Sequence, residues 1–248
     1  MEYAKRIELE LTLRCNLACP TCSRHCNMYS PCKDTDMNAM QLGRFMSQVE
    51  TKGDVWDTVA VMGGEPTLHP LFSDVMHALW ERLVKPGHVK TLQMWTNGTS
   101  VIDLGALPVR YLAPDTESVP DGRIHIITAD HSTKVHYQAL LAPKDTGQVR
   151  AECEALGVCG IALNAGGYWP CGPAGAIARL FGWQDAAKAE LPNNAGDWGD
   201  IERFCELCQH GCATKIPFIG AWGRPPICEI SPTYRKAIDN YKPRLKHW

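Results

Sequence analysis

A chain of 248 residues, 45% hydrophobic and 21% charged, is long enough for one sizeable core with a small appendage and has the make-up of an ordinary soluble globular protein. Nothing in its formal charge of −2 calls for a nucleic-acid backbone or an anionic membrane surface, so neither is expected as a partner. No apolar run approaches the about 20 residues that cross a bilayer, and Met1-Glu2-Tyr3-Ala4-Lys5-Arg6 lacks the apolar stretch of a signal peptide, so a cytoplasmic location is expected.

Ile7-Glu8-Leu9-Glu10-Leu11-Thr12-Leu13 alternates apolar and polar residues strictly, which predicts a strand. It delivers the chain into Arg14-Cys15-Asn16-Leu17-Ala18-Cys19-Pro20-Thr21-Cys22, where three cysteines are spaced C-x3-C-x2-C on one short loop. A 4Fe-4S cube is usually held by four thiolates, so three leave one iron open to chelate a substrate or cofactor. Zinc or plain buried thiols are the competing readings, but zinc prefers two ligand pairs from two separate knuckles. Cys26 and Cys32 follow, either as small structural residues or as hydrogen-atom donors close to the site. His25 reads as a solvated loop residue.

Leu42, Phe45, Met46 and Val49 recur at helical spacing, with Asp36 or Asn38 available as a cap. The apolar run Val59-Ala60-Val61-Met62 predicts a buried strand and ends at Gly63-Gly64-Glu65-Pro66. Pro70 opens a helix whose Phe72, Val75, Met76, Leu79 and Leu83 form one stripe. Strands are predicted at Val89 to Thr96, which ends at Asn97-Gly98, and at Ile124 to Thr128. Further strand candidates are Val135 to Leu141 and Gly160 to Leu163. Asp130, beyond the strand at 124–128, is placed to bind ribose hydroxyls or substrate, or to cap the next turn. Strands alternating with helices argue for an α/β chain with a parallel sheet. Too few strands are present for an eight-stranded barrel, so a partial, open parallel β/α barrel is expected. Ligands gather at the carboxyl ends of such strands, where the cysteine loop, Glu65, Asn97 and Asp130 fall.

From about residue 150 glycine, tryptophan, proline and cysteine rise and the periodicity fades, so the chain divides into 1–150 and a cysteine-rich 151–248. Twelve cysteines in a reducing compartment point to metal more than to disulfides, and seven of them lie here: Cys153, Cys159, Cys171, Cys205, Cys208, Cys212 and Cys228. The segment from Cys159 to Cys171 suggests a hairpin turning at Gly166-Gly167, with a thiol on each strand at the same end. Ala174 to Phe181 looks helical, and Cys205 and Cys208 form a C-x2-C knuckle. The tail from Asp239 to Trp248 reads as a solvated terminus.

The cysteine loop, Gly63-Gly64-Glu65-Pro66 and the strand Leu92-Gln93-Met94-Trp95-Thr96 ending at Asn97-Gly98 together resemble the radical S-adenosylmethionine (radical SAM) superfamily. The resemblance implies that Cys15, Cys19 and Cys22 hold a SAM-binding 4Fe-4S cluster. It also implies that Gly63, Gly64, Glu65 and Pro66 hold the methionyl ammonium. Glycines let backbone carbonyls approach a ligand, and Glu65 would accept charge-assisted hydrogen bonds. Thr96 and Asn97 would lie beside SAM. Thr21 departs from the aromatic residue usual before the third cysteine, which leaves the cover of the adenine open.

Cys159, Cys171, Cys205 and Cys208 resemble the twitch domain, a shortened SPASM domain, which implies a second, auxiliary 4Fe-4S cluster. A zinc knuckle uses the same groups. Cys153 suits the pattern in place of Cys159, and Cys212 and Cys228 suit a longer SPASM set, although seven cysteines are one short of two fully ligated cubes. The size, partial barrel and four-cysteine order are similar to the small radical SAM dehydrogenase type of aminoglycoside biosynthesis. The implied activity is reductive cleavage of SAM to a 5′-deoxyadenosyl radical that takes hydrogen from a small-molecule or peptide substrate, with flavodoxin or ferredoxin as electron donor. A fully ligated auxiliary cluster favours net oxidation, hence an oxidoreductase. The alternatives are a redox-neutral epimerase or isomerase with a cysteine hydrogen donor, and a non-catalytic iron-sulfur or zinc scaffold. No side chain is assigned as a catalytic acid or base.

Overall fold

The computed structural model describes residues 3–17, 19, 22–26, 35–113, 116–129, 135–137, 142–146, 155–208, 215–217 and 230–241. Cys32, Asp130, Cys153, Cys212 and Cys228 lie outside the described residues.

Strict alternation in the first strand, β1 (Arg6–Thr12), gives the sheet two different faces. Parallel β2 (Trp56–Gly63) and β3 (Val89–Thr96) follow on one side, and β4 (Val109–Leu112), β5 (Ile124–Thr128), β7 (Ile161–Asn164) and β8 (Gly167–Trp169) complete the order β4-β5-β3-β2-β1-β7-β8. All neighbours are parallel except β7 and β8, which form an antiparallel hairpin. The order ends at β4 and β8, so the sheet does not close. A separate antiparallel pair joins β6 (Val135–Tyr137) to β9 (Lys215–Pro217).

On one face Ile7, Leu9 and Leu11 join Val59, Val61, Leu92, Met94, Ile124, Ile126, Ile161 and Leu163 in a core covered by α1 (Ala39–Lys52) and α2 (Phe72–Leu79). Of the two caps proposed for α1, Asn38 is the one used. Its side chain accepts from the Gln41 N–H at 2.9 Å while the Gln41 side chain accepts from the Asn38 N–H at 2.9 Å, a reciprocal box that satisfies two orphan donors. The stripe after Pro70 forms α2 and continues through a wider turn, Trp80–Val84, that buries Leu83.

The other face is polar and still buried: Glu8, Glu10, Thr12, Gln93 and His125. After the one-turn helices α3 (Pro143–Thr146) and α4 (Ala155–Val158), part of it is covered by a second core, in which α5 (Gly172–Phe181), α6 (Glu202–Cys205) and α7 (Pro232–Tyr241) contribute Ala174, Ile177, Phe204 and Tyr234. The tail therefore needs correction. Tyr241 ends α7 with its ring buried, whereas a solvated terminus was expected from residue 239. Strand β4 was not anticipated, because Val109-Arg110-Tyr111-Leu112 is a short edge with two exposed residues. Among the described residues no helix is long and apolar enough to cross a membrane.

Candidate active site

The site is built where β1, β2 and β3 end. Thr12 Oγ1 donates to Asp36 Oδ1 at 2.6 Å and accepts the Arg14 N–H at 3.0 Å. Arg14 closes on Asp36 with Nε at 2.9 Å and Nη2 at 2.7 Å from Oδ2. This clamp fixes the root of the cysteine loop. The loop after β2 is stitched to the same root, with the Gly64 N–H donating to Thr12 O at 2.8 Å and the Glu65 N–H to Arg14 O at 2.7 Å. A Cβ on Gly63, whose φ is +145°, would lie 2.1 Å from Thr12 O, and one on Gly64 would lie 2.2 Å from Arg14 O. Ligand approach was the expected reason for these glycines. The structure supplies a nearer one: the two motifs cross with no room for a side chain.

Glu65 is fully buried and is not part of the cavity wall. Its Oε1 accepts from Thr67 N (3.2 Å), Thr67 Oγ1 (2.7 Å) and Thr96 Oγ1 (3.0 Å), and its Oε2 from Thr96 Oγ1 (3.0 Å) and the Asn97 N–H (2.7 Å). The carboxylate thus ties the end of β2 to the tip of β3. Pro66 begins the short turn that follows and is buried. Asn97 faces the cysteine loop, donating from Nδ2 to Asn16 Oδ1 at 2.9 Å and towards Cys15 Sγ at 3.9 Å.

Cys15, Cys19 and Cys22 line a cavity of about 590 Å³, together with Gly63, Gly64, Thr96 and Asn97. Burial raises the Cys15 thiol, and burial with the neighbouring Cys22 and Cys15 pushes Cys19 up to about 11. Cys22 is drawn the other way, down to about 6, because the Cys26 thiol hydrogen-bonds to it and the backbone N–H groups of Cys26 and Arg24 outweigh burial. Cys26 is correspondingly held as the thiol. It lies in the second core and not on the cavity wall, which agrees with its structural reading. His25, expected at the surface, is fully buried at a φ of 55° and packs edge-on against Tyr234 at 5.6 Å. The signal for its burial was the distant aromatic ring of α7, which no local pattern reveals.

The same cavity is also lined by Arg6, Glu8, Arg24, Gln93 and Cys159. Arg24 is hydrogen-bonded to Glu8, forms an ion pair with Glu10 in which Nε lies 2.8 Å from Oε1, and approaches Met62 Sδ at 2.9 Å. Burial works against its charge, but Glu8 and Glu10 prevail and hold the guanidinium above its ordinary range. Asn164 Nδ2 donates to Glu10 Oε2 at 3.0 Å. A buried charge without such partners would be costly. Glu8, Glu10 and Arg24 went unnoticed as site residues, although polar residues at every second place in a strand paired on both sides are a signal that its second face lines something polar.

The expected hairpin is present, with Asn164, Leu163 and Ala162 opposite Gly167, Tyr168 and Trp169. Cys159 precedes it and Cys171 follows it, at the same end. Cys159 lies on the cavity wall and is pushed up to about 12 by the Glu8 carboxylate and by burial. Cys171 packs against both cores at the start of α5, and Cys208, whose N–H donates to Cys205 O at 3.1 Å, packs against the second core. Among the described residues no three His, Cys, Asp or Glu side chains converge on a single ion position. A cube is not bound at one point, since each of its thiolates holds a different iron.

No protein-family model and no curated protein matches the chain. Among solved structures it is similar to BtrN in complex with AdoMet and 2-DOIA, with 15% identity over 85% of this chain and 89% of that one at a TM-score of 0.46. It is likewise similar to selenomethionine BtrN in an open conformation, with 14% identity over 85% of this chain and 87% of that one at a TM-score of 0.44. A third similarity is to Streptococcus suis SuiB bound to the precursor peptide SuiA, with 18% identity over 46% of this chain at a TM-score of 0.34. The chain spans only 25% of SuiB.

Proposed function

We propose that this chain is a radical SAM enzyme acting on a small-molecule or peptide substrate, with net oxidation as its outcome. One observation carries the reading: three cysteines of one loop and the glycine loop after β2, far apart in sequence, open onto the same cavity. The residues fit the group. Three loop thiols on the cavity wall, with Cys26 packed into the second core instead, suit a cube with one open iron, and Gly63 and Gly64 line the same wall.

When bound, a 4Fe-4S cluster with SAM supplies the reducing electron, drawn from flavodoxin or ferredoxin, and the hydrogen-abstracting 5′-deoxyadenosyl radical. Cys15, Cys19 and Cys22 would hold it, with Gly63, Gly64, Thr96 and Asn97 beside the methionyl end. Arg6, Glu8, Arg24 and Gln93, on the same wall, would orient a polar substrate, while Trp95, Ile127 and Pro173 would exclude water. Cys159, Cys171, Cys205 and Cys208 would hold an auxiliary cluster that accepts the substrate's electron. In this reading 1–150 forms the radical-generating part and 151–248 the auxiliary part, in a cytoplasmic protein.

A second reading has its own support. Cys159 shares the cavity wall with the first three cysteines, as a hydrogen-atom donor in a redox-neutral epimerase or isomerase would. The test is to incubate anaerobically reconstituted protein with SAM and a one-electron reductant and to assay 5′-deoxyadenosine. Its formation supports the radical reading, and its absence in a protein with a full iron complement defeats it and leaves the scaffold alternative. Deuterium gained from solvent by a substrate, with no oxidised product, selects the redox-neutral reading.

A further inference from the structure

His125 of β5 is 1% exposed and lies two residues before Ile127 of the cavity wall, on the same strand face. Both of its ring nitrogens are engaged. Nδ1 is hydrogen-bonded to Ser118 Oγ, and Nε2 lies 2.8 Å from Asp121 Oδ1. Ser118 lines the cavity, whereas Asp121 lies at the surface. The second oxygen of Asp121 accepts from Arg110 Nη1 at 2.9 Å, and Arg110 stands opposite His125 in the register of β4 and β5. His125 and then Arg110 hold the Asp121 carboxyl below the usual carboxylate range.

An ionised carboxylate only accepts, so His125 Nε2 carries the hydrogen in the neutral ring and Nδ1 presents its lone pair. Ser118 is then the donor. A hydroxyl, an imidazole and an orienting carboxylate in line constitute the arrangement that activates a serine, here with the two ring nitrogens exchanged relative to the usual serine triad. On the β3 side, the register neighbour of His125 is Gln93, a neutral side chain.

We propose that Ser118, His125 and Asp121 form a proton relay from the cavity to solvent, in which Ser118 Oγ takes the proton released when a bound substrate hydroxyl is oxidised to a carbonyl. This rests on the oxidative reading above. The substrate carbon gives its hydrogen atom to the 5′-deoxyadenosyl radical. The hydroxyl proton passes to Ser118 Oγ as the serine's own proton passes to His125 Nδ1, and the remaining electron goes to a one-electron acceptor of the iron-sulfur class. His125 then releases its Nε2 proton through Asp121 to water. One hydrogen atom, one proton and one electron leave the alcohol, which balances its conversion to a ketone or aldehyde.

The experiment uses the reconstituted holoenzyme and a fluorophosphonate, which an activated serine hydroxyl attacks with loss of fluoride and transfer of its proton to the adjacent base. Peptide mass mapping should find the label on Ser118. His125→Gln should slow labelling about a hundredfold or more, the usual scale of general-base assistance, and Asp121→Asn should slow it too. An unlabelled Ser118 in the wild type, or full-rate labelling in folded His125→Gln, overturns the relay. Should His125→Gln fail to fold, the surface variant Asp121→Asn carries the same test, and full-rate labelling there overturns the relay equally. Labelling is read without SAM turnover, so wild-type 5′-deoxyadenosine formation, measured alongside, reports separately on the radical reading.

Discussion

The Glu65 carboxylate accepts the backbone N–H of Asn97 at 2.7 Å, so the loop after β2 sets the position of the residue that faces the cysteine loop. Removing that carboxylate releases four donor groups at once. Glu65→Ala should lower stability and weaken SAM binding together, because a hydrogen bond to a charged group contributes about 1.5–3 kcal/mol. Calorimetric titration with SAM and thermal melting of the same samples check this. Unchanged affinity in a destabilised protein would remove Glu65 from any part in SAM binding.

The Asp36 clamp on Arg14 and Thr12 predicts a labile cluster when it is broken. Asp36→Ala should retain the fold yet lose iron faster on exposure to a chelator than the wild type, since three donors at the root of the loop lose their shared acceptor. Iron release followed by absorbance gives the rate, and equal rates would show that the loop holds itself.

Metal content separates the two proposed cysteine sets. Anaerobically prepared protein should carry iron and sulfide for about two cubes, and the triple Ala variant of Cys15, Cys19 and Cys22 for about one. Stoichiometric zinc in the triple variant, without residual cluster, would replace the auxiliary cluster by a zinc knuckle.

Replacing Cys205 and Cys208 by Ala should leave 5′-deoxyadenosine formation in place and stop substrate oxidation. Metal ligation contributes to folding in small domains, so melting curves come first, and only variants with a cooperative transition are assayed. Continued oxidation at the wild-type rate would exclude these two cysteines from the electron path.

At α1, Asn38→Ala should cost about 1 kcal/mol through loss of the reciprocal cap with Gln41, a decrease visible in denaturant unfolding. Gln41→Ala should cost more than the cap alone, because Gln41 Nε2 also donates to Ala165 O at 2.8 Å in the turn between β7 and β8.

Local patterns foretold the elements whose cause is local. Alternation marked β1, apolar runs marked β2, β3 and β5, and glycines marked the turn of the hairpin between Cys159 and Cys171. The open parallel sheet followed from their alternation with helices. Burial created by distant partners was not legible. His25 is enclosed by Tyr234 of α7, and Glu8 and Glu10 are buried because Arg24, Asn164 and Arg179 reach them from three other segments. The line from Ser118 to Asp121 was equally hidden, since neither a histidine on an apolar strand nor a serine in a polar loop signals the other. At the cysteine loop the motif singled out Cys15, Cys19 and Cys22, which the fold brings to one cavity wall, but the cross-stitching by Gly63 and Gly64 required the fold.

Strand β1 lies between β2, its near neighbour in the chain, and β7, which is separated from it by most of the sequence. During synthesis β1 can pair with β2 early, yet its other edge stays open until residues 161–164 have left the ribosome. An unpaired strand edge is a template for aggregation, and pairing across so long an interval is slow. Nascent or truncated chains therefore carry the Cys15 loop on an unfinished, adhesive sheet. Iron loading is best matched to full-length chains, and expression conditions that slow translation or deplete iron should yield aggregated protein ahead of soluble apoprotein.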